Sequence, residues 1–191
     1  MIGADRTLLV LLAAGQSRRF GAPDKLMQPL EGKAVALHAV KALTPIPFLA
    51  RVAIVADTDL EFGALGYRVI INPAPEDGMS GSVRLGVAAA QEMGAAAVLI
   101  ALADMPRVGT MHFFQLLDAA SRADSVVASS DGAQLGPPAL FAAGRFAELA
   151  AANGDQGGRD LIRTGVAVRA RAGELIDIDT PEQLAMAQQS V

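Results

Sequence analysis

The stretch Thr7-Leu8-Leu9-Val10-Leu11-Leu12-Ala13-Ala14-Gly15-Gln16-Ser17-Arg18-Arg19-Phe20-Gly21 begins uncharged and closes on a polar, basic turn. A short unbroken apolar run that ends in turn residues reads as a strand buried on both faces, Thr7–Ala13. Such strands belong to parallel sheets covered by helices above and below. Outward from this stretch, the apolar runs predict further strands over 51–56, 67–71 and 96–102. The last is continuously apolar and is expected to be central. Shorter strands are expected over 125–128 and 138–141. Periodicities near 3.6 predict helices over 34–43, 82–93 and 110–120, a short one over 160–163, and a terminal one over Pro181–Gln189 with Thr180 as N-cap. Strand and helix alternating at this spacing imply βαβ units with right-handed crossovers. The expected fold is α/β: a three-layer α/β/α sandwich on a mostly parallel sheet, one domain over 1–191. The Gly/Pro-containing stretch 129–138 is where that sheet is expected to be interrupted.

Composition narrows the functions. The chain has 191 residues, 52% of them apolar and only 4% aromatic, so the core is built from aliphatic side chains. The net charge of -4 supplies no long-range field for a nucleic acid, so a phosphate ligand must be held by local groups. With no cysteine, thiolate metal sites and cysteine nucleophiles are excluded. The longest apolar runs fall short of the roughly 20 residues that span a bilayer. The first ten residues do not read as a signal peptide. A cytoplasmic protein is expected, with neither a membrane nor a nucleic-acid partner.

In open parallel sheets, ligands sit beyond the carboxyl ends of the strands. Three polar segments follow strands in this reading: 15–25, 72–82 and 104–106. They are expected to converge at one edge. The first carries Gly15, Gly21, Ser17, Arg18, Arg19 and Lys25, suited to phosphate oxygens through backbone amides and cationic side chains. Two familiar phosphate patterns fail. G-x-G-x-x-G is absent because Gln16-Ser17 follow Gly15, which argues against a dinucleotide-binding module. The P-loop is absent because Gly32-Lys33 is followed by Ala34 and Met27 stands where its first glycine belongs. Asp104 directly follows the most apolar strand, where a carboxylate is costly unless it serves a ligand or a helix cap. Ser80 and Ser82 suit a ligand or plain N-capping, and Asn72 a base edge or a turn before Pro73. His38 and His112 lie in helical stretches without ligand spacing and read as structural.

The run 11–26 resembles the signature loop of the MobA-like nucleotidyltransferases. Four more segments resemble that family in order: Asn72-Pro73 with Gly78-Met79-Ser80-Gly81-Ser82-Val83, Ala103-Asp104-Met105-Pro106, Gly154-Asp155-Gln156-Gly157-Gly158-Arg159, and Asp177-Ile178-Asp179-Thr180-Pro181-Glu182. The resemblance implies the nucleotide-diphospho-sugar transferase fold and Mg²⁺-dependent nucleotidyl transfer. Ala14 and the 78–82 segment resemble the molybdenum cofactor cytidylyltransferase branch. That branch transfers CMP from CTP to the terminal phosphate of molybdopterin and releases pyrophosphate. The roles implied are catalysis by Lys25, Arg18 and Asp104, and nucleotide contacts from Leu12, Ala13, Ala14, Gly15, Gln16, Ser17, Arg18, Arg19, Lys25, Asn72, Gly78, Ser80, Ser82, Ala103 and Asp104. The metal is assigned to Asp104 and Asp179, and the acceptor to Asp155, Gln156 and Arg159. Asp177 and Asp179 are read as alternating along a strand, so that only one faces the site. A molybdenum hydroxylase or its maturation chaperone is the implied receiver. The residues inventory suits this chemistry, because an acceptor phosphate is already an anionic nucleophile and needs no histidine or cysteine base. A departure concerns Gly136-Pro137-Pro138, where the family usually carries His or Asn at Pro137. Proline removes a side-chain donor and a backbone N–H there, which leaves the acceptor open. The alternatives are a guanylyltransferase using GTP, a transferase acting on a sugar or polyol phosphate, and a non-catalytic molybdenum cofactor carrier.

Overall fold

The computed structural model describes residues 1–15, 20–21, 24–151 and 158–189. Its centre is β1 (Thr7–Ala13), every residue of which is buried. β1 lies parallel between β4 (Ala50–Val55) and β6 (Ala97–Leu102), with Leu8 paired to Ala50 on one side and Val98 on the other. β5 (Arg68–Ile71) extends this parallel half beyond β4. On the far side of β6 come β8 (Leu135–Ala142), β7 (Val126–Ser130) and β9 (Val166–Arg169), so the seven-stranded order is β5-β4-β1-β6-β8-β7-β9. β8 is antiparallel to both its neighbours, and β9 is parallel to β7. The expected mostly parallel sheet with helices on both faces is what the chain forms. β6 is the fourth strand of seven, hence central as its unbroken apolar sequence predicts.

The period of two in a strand sorts the core into layers. Leu9, Leu11, Val55 and Leu99 pack on one side with α1 (Val35–Leu43) and α3 (Thr110–Ala119). Leu8, Val10, Ile54 and Ile100 pack on the other with α2 (Met79–Glu92), α4 (Phe146–Ala151) and α5 (Arg159–Arg163). α2 comes close to β1 because residue 86 is glycine. A Cβ there would lie 2.7 Å from Val10 Cγ1. α6 (Pro181–Gln189) lies apart, its Leu184 and Ala187 packed with Phe20, Leu30, Val35 and Ile178 in a small separate cluster.

Several expectations are corrected. The stretch 129–138 does not interrupt the sheet. It is a β7–β8 hairpin whose turn is closed by Asp131 Oδ1, which accepts from Ala133 N and Gln134 N at 2.8 Å each. The register shifts between Ala128 and Ser129, opposite Pro137 and Pro138, which is how the ladder tolerates two residues without an N–H. Helix α2 begins three residues before the predicted start. Gly78, with φ 81° and ψ −167°, takes the N-cap place by a backbone conformation that other residues reach only under strain. Residues 177–179 form no strand. The Ile178 N–H donates instead to the Asp104 carbonyl at 2.9 Å. The sequence reading passed over β9, α4 and the two-residue pairing of β2 (Pro29–Leu30) with β3 (Lys33–Ala34). Each is too short to show a period.

Candidate active site

Because β1, β4, β5 and β6 all run one way, their carboxyl ends share one edge. Leu12, Ala13 and Ala14 reach that edge with their side chains buried, so any contact they offer there is through the backbone. The Leu12 carbonyl accepts from Ala103 N at 3.0 Å, which locks the ends of β1 and β6 together. Gly15 follows, exposed. A Cβ on it would lie 3.8 Å from Lys25 Cε, so the loop backbone passes close along the lysine stem.

Lys25 is buried, at 6% exposure, in the short 3-10 turn Lys25–Met27. Its ammonium donates to Asp104 Oδ2 at 2.5 Å and to Asp179 Oδ1 at 2.9 Å. A buried lysine is tolerated only with such partners. Burial alone pulls its pKa down, but Asp104 and Asp179 together outweigh that and hold it above the ordinary value. Burial pushes the Asp104 carboxyl up. Lys25 opposes this, while Asp179 and Asp177 add to it. Asp177 therefore also lies within electrostatic reach of Asp104, although of Asp177 and Asp179 only Asp179 bonds the lysine among the interactions described. Asp104 Oδ1 is buried and has no hydrogen-bond partner. A buried carboxylate oxygen without a partner is costly unless a cation or a hydrogen-bond donor meets it.

Asp179 is held from its own side. Gln183 Oε1 accepts from Asp179 N at 2.7 Å and from Thr180 N at 2.9 Å, while Thr180 Oγ1 accepts from Gln183 N at 3.3 Å. This is a capping box, and the Thr-x-x-Gln spacing announces it. The sequence reading found Thr180 and overlooked Gln183.

The second of the three polar segments begins at the end of β5. Asn72 accepts from Ala74 N at 3.0 Å, closing the turn, and donates to Ser82 Oγ at 3.0 Å. Ser80 and Ser82 are buried inside the first turn of α2 and do not cap it. Arg84, which the sequence reading did not single out, donates to Ser80 Oγ at 3.4 Å. Ala103 is fully buried, and Arg159 is exposed at the start of α5. Gln16, Ser17, Arg18, Arg19, Asp155 and Gln156 lie outside the described residues. Both histidines are held in the fold. His38 Nε2 bonds the Leu30 carbonyl at 2.8 Å, and buried His112 bonds Ser129 Oγ at 2.8 Å.

The carboxylates are hard oxygen ligands, which suit Mg²⁺ or Mn²⁺. Among the described residues there is no group of three or more His, Asp or Glu side chains able to enclose a metal. Two carboxylates with room for outside oxygens are the arrangement in which such an ion is shared with substrate phosphates.

Residues 9–171 match the model of the MobA-like NTP transferase domain. The chain belongs to this family. It is 32% identical over 200 residues to the purine catabolism protein PucB of Bacillus subtilis, covering 95% of this chain and 96% of that protein. It is 35% identical over 86 residues to a probable molybdenum cofactor guanylyltransferase of Pyrococcus horikoshii, covering 42% of this chain and 44% of that one. Among solved structures it resembles Rv0371c of Mycobacterium tuberculosis in complex with manganese. The TM-score is 0.75 at 22% identity, over 97% of this chain and 100% of the other. That likeness speaks to the fold. The MobA-like chain is thus a nucleotidyltransferase with the α/β architecture of its kind. No helix among its described residues is long and apolar enough to cross a membrane.

Proposed function

We propose that the chain is a Mg²⁺-dependent cytidylyltransferase that joins CMP from CTP to the terminal phosphate of molybdopterin or its molybdenum form. The observation that carries the reading is the Lys25 ammonium held between Asp104 and Asp179, with Asp104 Oδ1 left unpartnered at the carboxyl edge of the sheet. Asp104 and Asp179 would hold Mg²⁺, which when bound neutralises triphosphate charge. Lys25 addresses the same phosphates, and residues 12–19, Arg18 among them, are assigned to the triphosphate by the family resemblance. Asn72, Gly78, Ser80 and Ser82 are assigned to the base and ribose, and Asp155, Gln156 and Arg159 to the acceptor, by the family resemblance.

An oxygen of the acceptor phosphate attacks the α-phosphorus of CTP. The new P–O bond forms as the bond to the β-phosphate bridging oxygen breaks, and pyrophosphate leaves with the electron pair. The acceptor oxygen is already anionic, so no base is needed. The work of the protein is alignment and charge neutralisation. The product suits delivery to a molybdenum hydroxylase or its maturation chaperone.

The guanylyltransferase relative supports a second reading in which GTP replaces CTP. One experiment separates the readings: pyrophosphate release with Mg²⁺, molybdopterin or its molybdenum form, and each of the four NTPs. We expect release with CTP above the others. Preference for GTP moves the chain to the guanylyl branch. Release with a sugar or polyol phosphate in place of molybdopterin reassigns the acceptor, in keeping with Pro137. Cofactor binding without release under any condition favours a carrier.

A further inference from the structure

Lys25 is preceded by a carboxylate that does more than its local turn requires. Asp24 is the N-cap of the Lys25–Met27 turn, and its Oδ1 accepts from Leu26 N at 2.9 Å. That bond alone satisfies a cap. The other oxygen reaches a different part of the chain. Asp24 Oδ2 accepts from Thr58 Oγ1 at 2.6 Å and, at 3.4 Å, from Asp59 N. Thr58 Oγ1 in turn accepts from Leu60 N at 3.3 Å, and Leu60 packs against the core layer beneath α1. The Asp24 carbonyl accepts from Met27 N at 3.2 Å and from Gln28 Nε2 at 3.0 Å. Residue 24 is therefore fixed on both sides, to its own turn and to the loop that follows β4.

We propose that Asp24 and Thr58 form a clamp that positions Lys25. The proposal rests on the reading of Lys25 as a triphosphate ligand. A lysine stem has four rotatable bonds, and its ammonium must meet two carboxylates borne by separate segments. The backbone from which that stem starts decides whether it reaches both. A misplacement of about 1 Å in such a group is enough to slow a transfer about a hundredfold. Asp24 and Thr58 touch neither Asp104 nor Asp179 in the hydrogen bonds described, so they are positioning residues rather than catalytic ones. Thr58 is half-buried, and valine replaces it at nearly constant volume while removing the hydroxyl.

The chain has three lysines, Lys25, Lys33 and Lys41, and the last two are exposed. Limited acylation with a small amine-reactive reagent, mapped by mass spectrometry on the full chain, therefore reads Lys25 against two internal references without any turnover. Thr58→Val is expected to raise the relative reactivity of Lys25 about tenfold, the worth of one hydrogen bond to a charged acceptor. Thr58→Ser is expected to restore it. Asp24→Ala, which removes the acceptor altogether, should raise the reactivity at least as much as Thr58→Val and serves if the valine variant does not fold. In turnover the same variants should lose about tenfold in kcat with KM for the nucleotide little changed, the pattern of an interaction used in the transition state. Unchanged Lys25 reactivity overturns the clamp. So does a rise that serine fails to reverse, or a rise that leaves kcat untouched. Failure of the wild-type chain to release pyrophosphate counts against the proposed function alone, because the acylation pattern still reports on the clamp.

Discussion

The sheet interior and the cluster around Phe20 bury apolar side chains in different ways. In the interior, β1 is sealed on both edges by parallel partners and on both faces by helices, and Leu8, Leu9, Val10 and Leu11 have no exposure. The Phe20 cluster has six buried members, and Leu184 and Phe20 keep 9% and 8% exposure. It is tied to the rest by polar contacts. Arg107 Nη2 donates to the Ala187 carbonyl at 2.8 Å, and Gln188 Nε2 to the Pro29 carbonyl at 3.0 Å. The candidate site straddles the two. Asp104 stands on the end of β6, whereas Asp179 hangs from the C-terminal segment, beyond the end of the matched family span at residue 171. One carboxylate is thus held by the whole core and the other by a thin clip, so local opening should reach Asp179 long before it reaches Asp104.

The largest effect tests the rigid side. Asp104→Ala should reduce pyrophosphate release by at least about 10²–10³-fold, the scale of removing one preorganised electrostatic contact. The substitution removes the unpartnered Oδ1 together with the Oδ2 that bonds Lys25, and the fold should survive because the lysine keeps Asp179. Circular dichroism and pyrophosphate release on the same sample check this. Release near the wild-type rate would remove Asp104 from the chemistry.

A pair of substitutions tests the contrast itself. Gly86→Ala places a Cβ 2.7 Å from Val10 Cγ1 in the sheet interior. Overpacking of this kind costs about 1–3 kcal/mol, which for a chain of this size lowers Tm by about 2–12 °C. Below that temperature turnover and its metal dependence should be nearly normal. Leu184→Ala removes about 2 kcal/mol or more of packing by the usual core scale, but from the thin cluster. Its main unfolding transition should move less than that of Gly86→Ala, while the metal concentration needed for half-maximal turnover rises severalfold. Hydrogen exchange should quicken in α6 and not in β1. Equal loss of Tm with unchanged metal dependence would show that the two clusters unfold as one unit.

The same contrast explains what the sequence let one read. The interior was legible because strands buried on both faces leave unbroken apolar runs, and Thr7–Ala13 is such a run to the residue. Asp104 stood out as a charge just beyond such a run and Lys25 as a cation in the polar segment after β1, and the structure brings them together. The C-terminal clip was less legible. Asp177 and Asp179 were read through a strand period that the segment does not have, since its backbone bonds Asp104 instead of a ladder. Gln183 had a signal in the capping-box spacing, but Thr58 had none. A hydroxyl 34 residues from its partner leaves no pattern in a single sequence. β9 was missed because its burial, exposed at three of four positions, comes from pairing with β7 and not from its own composition.

The smallest effect sharpens the comparison without touching the site. The chain has one tyrosine, Tyr67, which packs edge-on against Phe62 with ring centroids 5.9 Å apart in the core layer beneath α1. Its hydroxyl is buried without a partner. Burial pushes the phenol up to about 12, with Arg51 nearby working the other way. A folded pKa above the unfolded value of 10.0 means that the stabilising contribution is complete below pH 10 and is lost as pH rises through 12. Ultraviolet titration of the native chain should therefore leave the phenol protonated at about pH 11, where the chain in denaturant has already ionised. Leu184→Ala should leave that titration unchanged, because loosening the clip does not open the layer that holds Tyr67. A native midpoint near the unfolded value would mean that water reaches this layer, and with it the claim that Asp104 stands on the more rigid of the two clusters would fall.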